Sequence, residues 1–399
     1  MQGLVQLQSW FDTGRLVRPR ADVPNFVDLV RALAELSGVA GLELSAAARA
    51  LRELIGPAEH HVFVLVDGLG LKLLETLPAD GFLRQHLVRS LQAVFPPTTA
   101  AALNTLATGL WPAEHAVPGW WMYLAQRDLS ITTLPFVERF TEKPLTYYGV
   151  QADEVFSAPC FWKWMERARL AVAPRKLIGT TFSRYATGDG PCAGYDEADL
   201  AQAVAVVASR VERARRPSFT YLYLPEIDRH AHHEGLAHEQ MPKLLRAVEE
   251  HLADLAEALA GRARLIIAAD HGLIDTPEQR RLMLGEGDPL LEHLLCPPTC
   301  EPAVPAFHVR PGHEKAFLDA FAASLGRHFA LITPDEAEEL KLFGPGPISD
   351  LLRARLGNYI GLAAEPTAVY YCRPRRSRMN IGIHAGLSEQ EMLIPLILA

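Results

Sequence analysis

Three apolar runs in the sequence each lead into an aspartate. His61-Val62-Phe63-Val64-Leu65-Val66 ends in Asp67-Gly68, Phe219-Thr220-Tyr221-Leu222-Tyr223-Leu224 in Pro225-Glu226-Ile227-Asp228, and Leu265-Ile266-Ile267-Ala268-Ala269 in Asp270-His271-Gly272. Histidines accompany two of these aspartates: His232 follows Asp228 by four residues, and His271 is next to Asp270. His384, in Gly382-Ile383-His384-Ala385-Gly386, is a further candidate. Carboxylates gathered on one rim repel each other unless cations lie between them. A mixed Asp and His set suits zinc, with manganese or iron as further options. The six side chains are too many for one open catalytic zinc, so two ions are the expected count. Taken singly, each has a plainer reading. Asp-Gly after a strand is an ordinary turn, and His230, His232 and His233 also fit a solvated loop. Their joint occurrence at strand ends is what points to metal chemistry.

A second element is Phe95-Pro96-Pro97-Thr98-Thr99-Ala100-Ala101-Ala102-Leu103-Asn104-Thr105-Leu106-Ala107-Thr108-Gly109. The prolines end an extended segment and a helix-prone run begins at the threonines. A threonine there is commonly an N-cap. A hydroxyl at that place also stands where free N–H groups and the helix dipole favour an anion. A phosphoryl oxygen resting on the Ala100 amide would leave the hydroxyl of Thr98 or Thr99 free to attack phosphorus.

The elements that must hold these residues follow from the pattern. Five consecutive apolar residues before Asp67 read as a buried parallel strand, and helical stretches at about 197–214 and 243–260 precede the other two strands. A helix is expected over Leu71 to Leu77. Strands alternating with helices predict an α/β fold with a mostly parallel central sheet and helices on both faces. Residues 1–58 read as a helical and irregular segment packed on the core. Residues 59–274 and 346–399 read as the metal-binding core, and 275–345 as a small inserted α+β subdomain. Within the insert, Ala306–Val309, a helix from Glu314 to Leu325 and Phe329–Ile332 form a β-α-β unit. Residues 118–195 read as aromatic-rich loops plus a strand–helix unit over one sheet edge.

Composition narrows the function. The 399 residues carry 39 bases against 47 acids, a net charge of −8, which argues against a nucleic acid polymer as partner. No apolar run reaches the roughly 18–20 residues that span a bilayer, so no membrane partner is expected. The first residues lack a basic segment followed by an apolar one, which leads to the expectation of a cytoplasmic protein. Five scattered cysteines read as free thiols, and Cys296 and Cys300 lack the second ligand pair of a zinc knuckle.

With those blocks in this order, the chain resembles the alkaline phosphatase superfamily, closest to its type I phosphodiesterase/nucleotide pyrophosphatase branch. The resemblance runs from about residue 60 to the C-terminus. It rests on Val66-Asp67-Gly68, on Thr99 through Gly109-Leu110-Trp111-Pro112-Ala113-Glu114-His115, on Asp228 with His232, on Asp270-His271-Gly272, and on His384 followed by Leu387 to Pro395. The resemblance implies an alkaline phosphatase-like fold and Thr99 as the nucleophile. It implies one zinc held by Asp67, Thr99, Asp270 and His271, and another by Asp228, His232 and His384. The reaction implied is in-line displacement at phosphorus through a phosphothreonine, on a small phosphate ester such as a nucleotide.

Trp120 occupies the place of the asparagine that contacts a phosphate oxygen in that branch, and Ala116 and Ala385 replace common glycines. Ala100, Trp120 and Tyr123 are the candidate substrate contacts, with Asn104 or Tyr123 as the replacement for the asparagine. Cys372-Arg373-Pro374-Arg375-Arg376 matches a sulfatase signature, but it lies late in the chain while Thr99 already fills the nucleophile position. Hydrolysis of phosphonates or phosphomonoesters and a mutase are alternative reactions on the same scaffold. A non-catalytic metal-binding or interaction protein is the alternative of another class.

Overall fold

The computed structural model describes residues 2–371 and 379–399. The sulfatase-like run and Arg373, Arg375, Arg376 and Arg378 lie outside the described residues. The strand His60–Val66 is buried at every position. It sits in a seven-stranded sheet ordered Leu87–Gln92, Leu393–Leu398, Ala263–Ala268, His60–Val66, Ser218–Leu224, Ala168–Pro174, Cys192–Tyr195. Pairing is parallel from Ala263–Ala268 through to Cys192–Tyr195. Leu393–Leu398 runs antiparallel to both its neighbours. The fold is α/β with a mostly parallel central sheet, as the sequence predicts.

Register places the chemistry. Val66 is level with Leu224, and Leu65 with Ala268. The strands leading to Asp67, Asp228 and Asp270 therefore stop along one rim, at the carboxyl ends where open parallel sheets bind ligands. The helix Met241–Leu259 buries Met241, Leu245, Val248, Leu252, Leu255 and Leu259, one stripe at three- and four-residue spacing. The helix Leu200–Glu212 starts where the Asp199 carboxylate accepts the Gln202 N–H. The helix expected over 71–77 is shorter, at Leu71–Leu74. Beyond it the Thr76 hydroxyl turns back onto the Leu73 carbonyl, and Pro78 prevents the next turn.

Before the first core strand lie three helices, Gln2–Asp12, Phe26–Leu36 and Ala46–Ile55. The first packs on the strand Phe329–Ile332. Approach there is so close that a Cβ on Gly3 would stand 2.0 Å from the Leu331 carbonyl oxygen.

A second sheet has the order Phe329–Ile332, Tyr359–Ala363, Pro305–Phe307, Thr299–Cys300, Trp121–Leu124, Leu129–Thr132, Val137–Glu138, antiparallel throughout. It takes in both strands expected for the β-α-β unit of the insert, but Tyr359–Ala363 lies between them. Phe317 and Phe321 of the helix Glu314–Ser324 pack on Phe307, with ring centroids 5.3 and 5.6 Å away. Among the described residues no helix is long and apolar enough to cross a membrane. Cys160, Cys192, Cys296 and Cys300 are free.

Burial pushes two histidines of this framework, His61 and His308, down to about 4. His61 lies in the central strand with Nε2 on the Gly56 carbonyl, and His308 Nε2 is 3.2 Å from the Thr299 hydroxyl. The unfolded chain takes up these protons near pH 6.5, the fold only near 4. Their contribution to stability is therefore complete above about pH 6.5 and drains away as pH falls towards 4. Urea unfolding at pH 7 and pH 5 should show this loss, and His308→Asn should reduce it by about 1–2 kcal/mol.

Candidate metal centre and nucleophile

Each of the three strand-end aspartates keeps a buried oxygen that accepts no hydrogen bond: Asp67 Oδ1, Asp228 Oδ1 and Asp270 Oδ2. The other oxygens of Asp67 and Asp270 are held. The Tyr223 hydroxyl donates to Asp67 Oδ2, and the N–H groups of Gly68 and His271 donate to Asp270 Oδ1 at 3.2 and 3.0 Å.

The histidines are oriented by the same logic. Nδ1 of His232, His271 and His384 faces the carbonyl of Gly382, Gly272 and Pro97 at 2.8, 3.0 and 3.1 Å. A carbonyl only accepts, so at His271 and His384 Nδ1 carries the proton and the Nε2 lone pair faces the carboxylates; at His232 the Asn380 side-chain amide also lies 3.0 Å from Nδ1. A carbonyl behind the distal nitrogen is the usual support of a metal-bound imidazole. His271 Nε2 lies 3.4 Å from both Asp67 Oδ1 and Asp270 Oδ2. His232 and His384 Nε2 lie 3.3 and 4.0 Å from Asp228 Oδ1. The donor atoms form two groups, Asp228 with His232 and His384, and Asp67 with Asp228 and His271, each within 4.8 Å. Asp228 belongs to both. Burial, then the charges of Asp270 and Asp228, hold the Asp67 carboxyl well above the usual carboxylate range. Cations among these oxygens would turn that repulsion into attraction, and the donor set fits them. Of the three clustered histidines only His232 joins; His230 and His233 line a different cavity.

Thr99 opens the helix Thr99–Thr108, and its hydroxyl is 3.1 Å from His271 Nε2. Thr98 is the N-cap but makes no capping bond. Its hydroxyl donates instead to Glu301 Oε1 at 2.5 Å, and the Trp120 N–H donates to the same oxygen at 2.7 Å. Two cavities meet at Thr99, Trp120 and Asp228. Ala100 is buried in the first helical turn. Tyr123 is not brought in: its hydroxyl donates to Asp128 and its ring packs edge-on against His308. Asn104 donates its amide to the Ala100 carbonyl within the helix.

The sequence reading did not single out Tyr223 or Glu301. Tyr223 has a signal, the alternation of Tyr221 and Tyr223 on one face of a strand that ends at the site. Glu301 has none, because its partners Thr98 and Trp120 are remote in sequence. Burial raises its carboxyl to about 7.

A rim of aspartates with histidines thus faces a threonine at a helix start, in a hydrolase of the alkaline phosphatase superfamily. The family model for type I phosphodiesterase/nucleotide pyrophosphatase matches residues 61–331. The chain belongs to this metal-dependent family and is a phosphoester hydrolase. Murine ectonucleotide pyrophosphatase/phosphodiesterase 5 shares 18% identity at a TM-score of 0.64, covering 84% of this chain and 87% of its own. One structure of that protein is an inactive form in complex with AMP. Phosphonoacetate hydrolase from Sinorhizobium meliloti, in complex with phosphonoformate, shares 15% identity at a TM-score of 0.60, covering 85% and 89%. At these identities the likeness is one of fold. No curated protein matches the chain's sequence.

Two outcomes follow from the supports around the site. Tyr223→Phe removes the donor to Asp67 Oδ2 and should lower divalent-metal affinity about ten- to hundredfold, read by competition with a chromophoric chelator. Glu301→Ala leaves the Thr98 hydroxyl and the Trp120 N–H without their buried acceptor. It should cost about 1–3 kcal/mol in denaturant unfolding.

Proposed function

We propose that the chain hydrolyses phosphodiester or pyrophosphate bonds of small esters, nucleotides included, with Thr99 as nucleophile and two zinc ions as cofactor. Asp67, Thr99, Asp270 and His271 would hold one ion, and Asp228, His232 and His384 the other. What supports this reading is one observation: three carboxylate oxygens without donors and three imidazole Nε2 atoms gather beside the Thr99 hydroxyl. Such ions supply positive charge that lowers the pKa of a hydroxyl and stabilises charge on phosphoryl and leaving-group oxygens.

The chain's own residues do the rest. The Thr99 oxygen attacks phosphorus as the ester oxygen on the opposite side departs, giving a phosphothreonine. Water then attacks that phosphorus and returns Thr99 to its free form. Ala100, in the uncapped first turn, offers its N–H to a phosphoryl oxygen. Glu301 keeps that turn uncapped by holding the Thr98 hydroxyl, and it fixes Trp120 beside the nucleophile. Carbonyl-bound Nδ1 atoms and the Tyr223 hydroxyl fix the ligand orientations in advance, so little reorganisation accompanies the displacement.

The zinc-loaded chain should turn over bis(p-nitrophenyl) phosphate faster than p-nitrophenyl phosphate. Thr99→Ala should lower that rate at least about a thousandfold while the ions stay bound. Wild-type rates in Thr99→Ala would remove Thr99 as nucleophile. A preference for the monoester would favour phosphomonoester hydrolysis on this scaffold.

A further inference from the structure

The larger of the two cavities that meet at Thr99 measures about 490 Å³. It opens at Asp67, Thr99 and Asp228, and its wall is built from Leu103, Leu106, Trp162, Leu177, Ile178 and Phe182. Leu103 and Leu106 lie on the helix that Thr99 begins, so the apolar wall and the nucleophile belong to one rigid element.

Most polar side chains in this cavity are already engaged. The hydroxyls of Thr180, Ser183 and Thr187 donate to the carbonyls of Leu177, Thr180 and Ser183 at 3.1, 3.1 and 2.8 Å. Lys176 and Arg229 both pair with Glu197. The Tyr223 hydroxyl is held by Asp67. Among the described residues the lining holds no Asn, Gln, Glu or His. A nucleobase placed here would lose water from its amide and amino edges and find few free partners, and an unpaired buried polar group is costly. Lys176 and Arg229 share the single carboxylate of Glu197 and are partly exposed, so a pyrophosphate would meet one net positive charge screened by solvent. A hydrocarbon group loses nothing on entry and gains the full benefit of burial.

We infer that this cavity binds a hydrophobic ester group of the substrate, and that the enzyme prefers alkyl phosphodiesters to nucleotidyl ones. The inference rests on the phosphodiesterase reading above and adds the substrate class. The site would hold the phosphorus at Thr99 with the hydrocarbon directed between the helices Thr99–Thr108 and Thr181–Ala186.

The test compares the zinc-loaded full chain on methyl, butyl and octyl p-nitrophenyl phosphodiesters and on the p-nitrophenyl ester of thymidine 5′-phosphate. Burial of each methylene should raise kcat/KM by about threefold until the cavity is filled. The octyl ester should thus exceed the methyl ester at least about a hundredfold and also exceed the thymidylyl ester. Ala107→Phe, which fills the same cavity, should shrink the octyl-to-methyl ratio at least about tenfold. If that variant does not fold, the wild-type series decides alone. A flat series, or a thymidylyl ester that matches the octyl one, overturns the hydrocarbon site while leaving the phosphodiesterase reading intact. If no ester is turned over, the catalytic reading fails separately. Calorimetric binding of octylphosphonate against methylphosphonate then decides the cavity: tighter octyl binding upholds it and equal binding overturns it.

Discussion

Three carboxylates brought out of water within a few ångströms of one another are the constraint on which the rest of the structure depends. No lysine or arginine among the described residues pairs with Asp67, Asp228 or Asp270; the groups nearest their oxygens are histidine Nε2 atoms. Repulsion of that kind is tolerated only where the framework leaves no alternative arrangement and where cations offset it. The framework here is the register of three adjacent parallel strands, whose ends leave the aspartates nowhere else to go. Backbone amides, a tyrosine and three carbonyls then hold the outer atoms of these aspartates and histidines, so that the inner atoms face each other.

Much of this was legible in the sequence, for a definite reason. A buried parallel strand reads as an unbroken apolar run, and the residue after it is a positional landmark. Asp67, Asp228 and Asp270 could therefore be placed on one rim without knowing any distance. His384 is different in kind. Nothing in Gly382 to Gly386 resembles a strand end, so it was a candidate by residue type, and its pairing with Asp228 and His232 came from the family resemblance. In the fold its Nδ1 meets the carbonyl of Pro97, just before the helix Thr99–Thr108, and this holds it at the rim.

What escaped sequence reading shares a cause. The second sheet is assembled from stretches near residues 121–138, 299–307, 329–332 and 359–363, several only two to four residues long. Strands this short show no measurable period. The pairing of Cys300 with Trp121 sets Glu301 beside Trp120, and that neighbour relation is invisible along the chain. Tyr123 misled for a local reason. Three residues after Trp120 along an extended segment, it points to the opposite side and meets His308 instead. Tyr223 was hidden by context, since an aromatic residue inside an apolar strand reads as core.

The antiparallel strand Leu393–Leu398 has a consequence for how the enzyme comes into being. It is wedged between Leu87–Gln92 and Ala263–Ala268, inside the sheet rather than at its margin. The ribosome makes it, and His384 before it, long after Asp67 and Thr99. A nascent chain that carries Asp67 and Thr99 thus has an open slot in its sheet and lacks His384. Joining segments so distant in sequence is slow compared with local folding. The sheet closes only when Leu393–Leu398 enters between its two neighbours, and the segment just before it brings His384 to the rim beside Asp228.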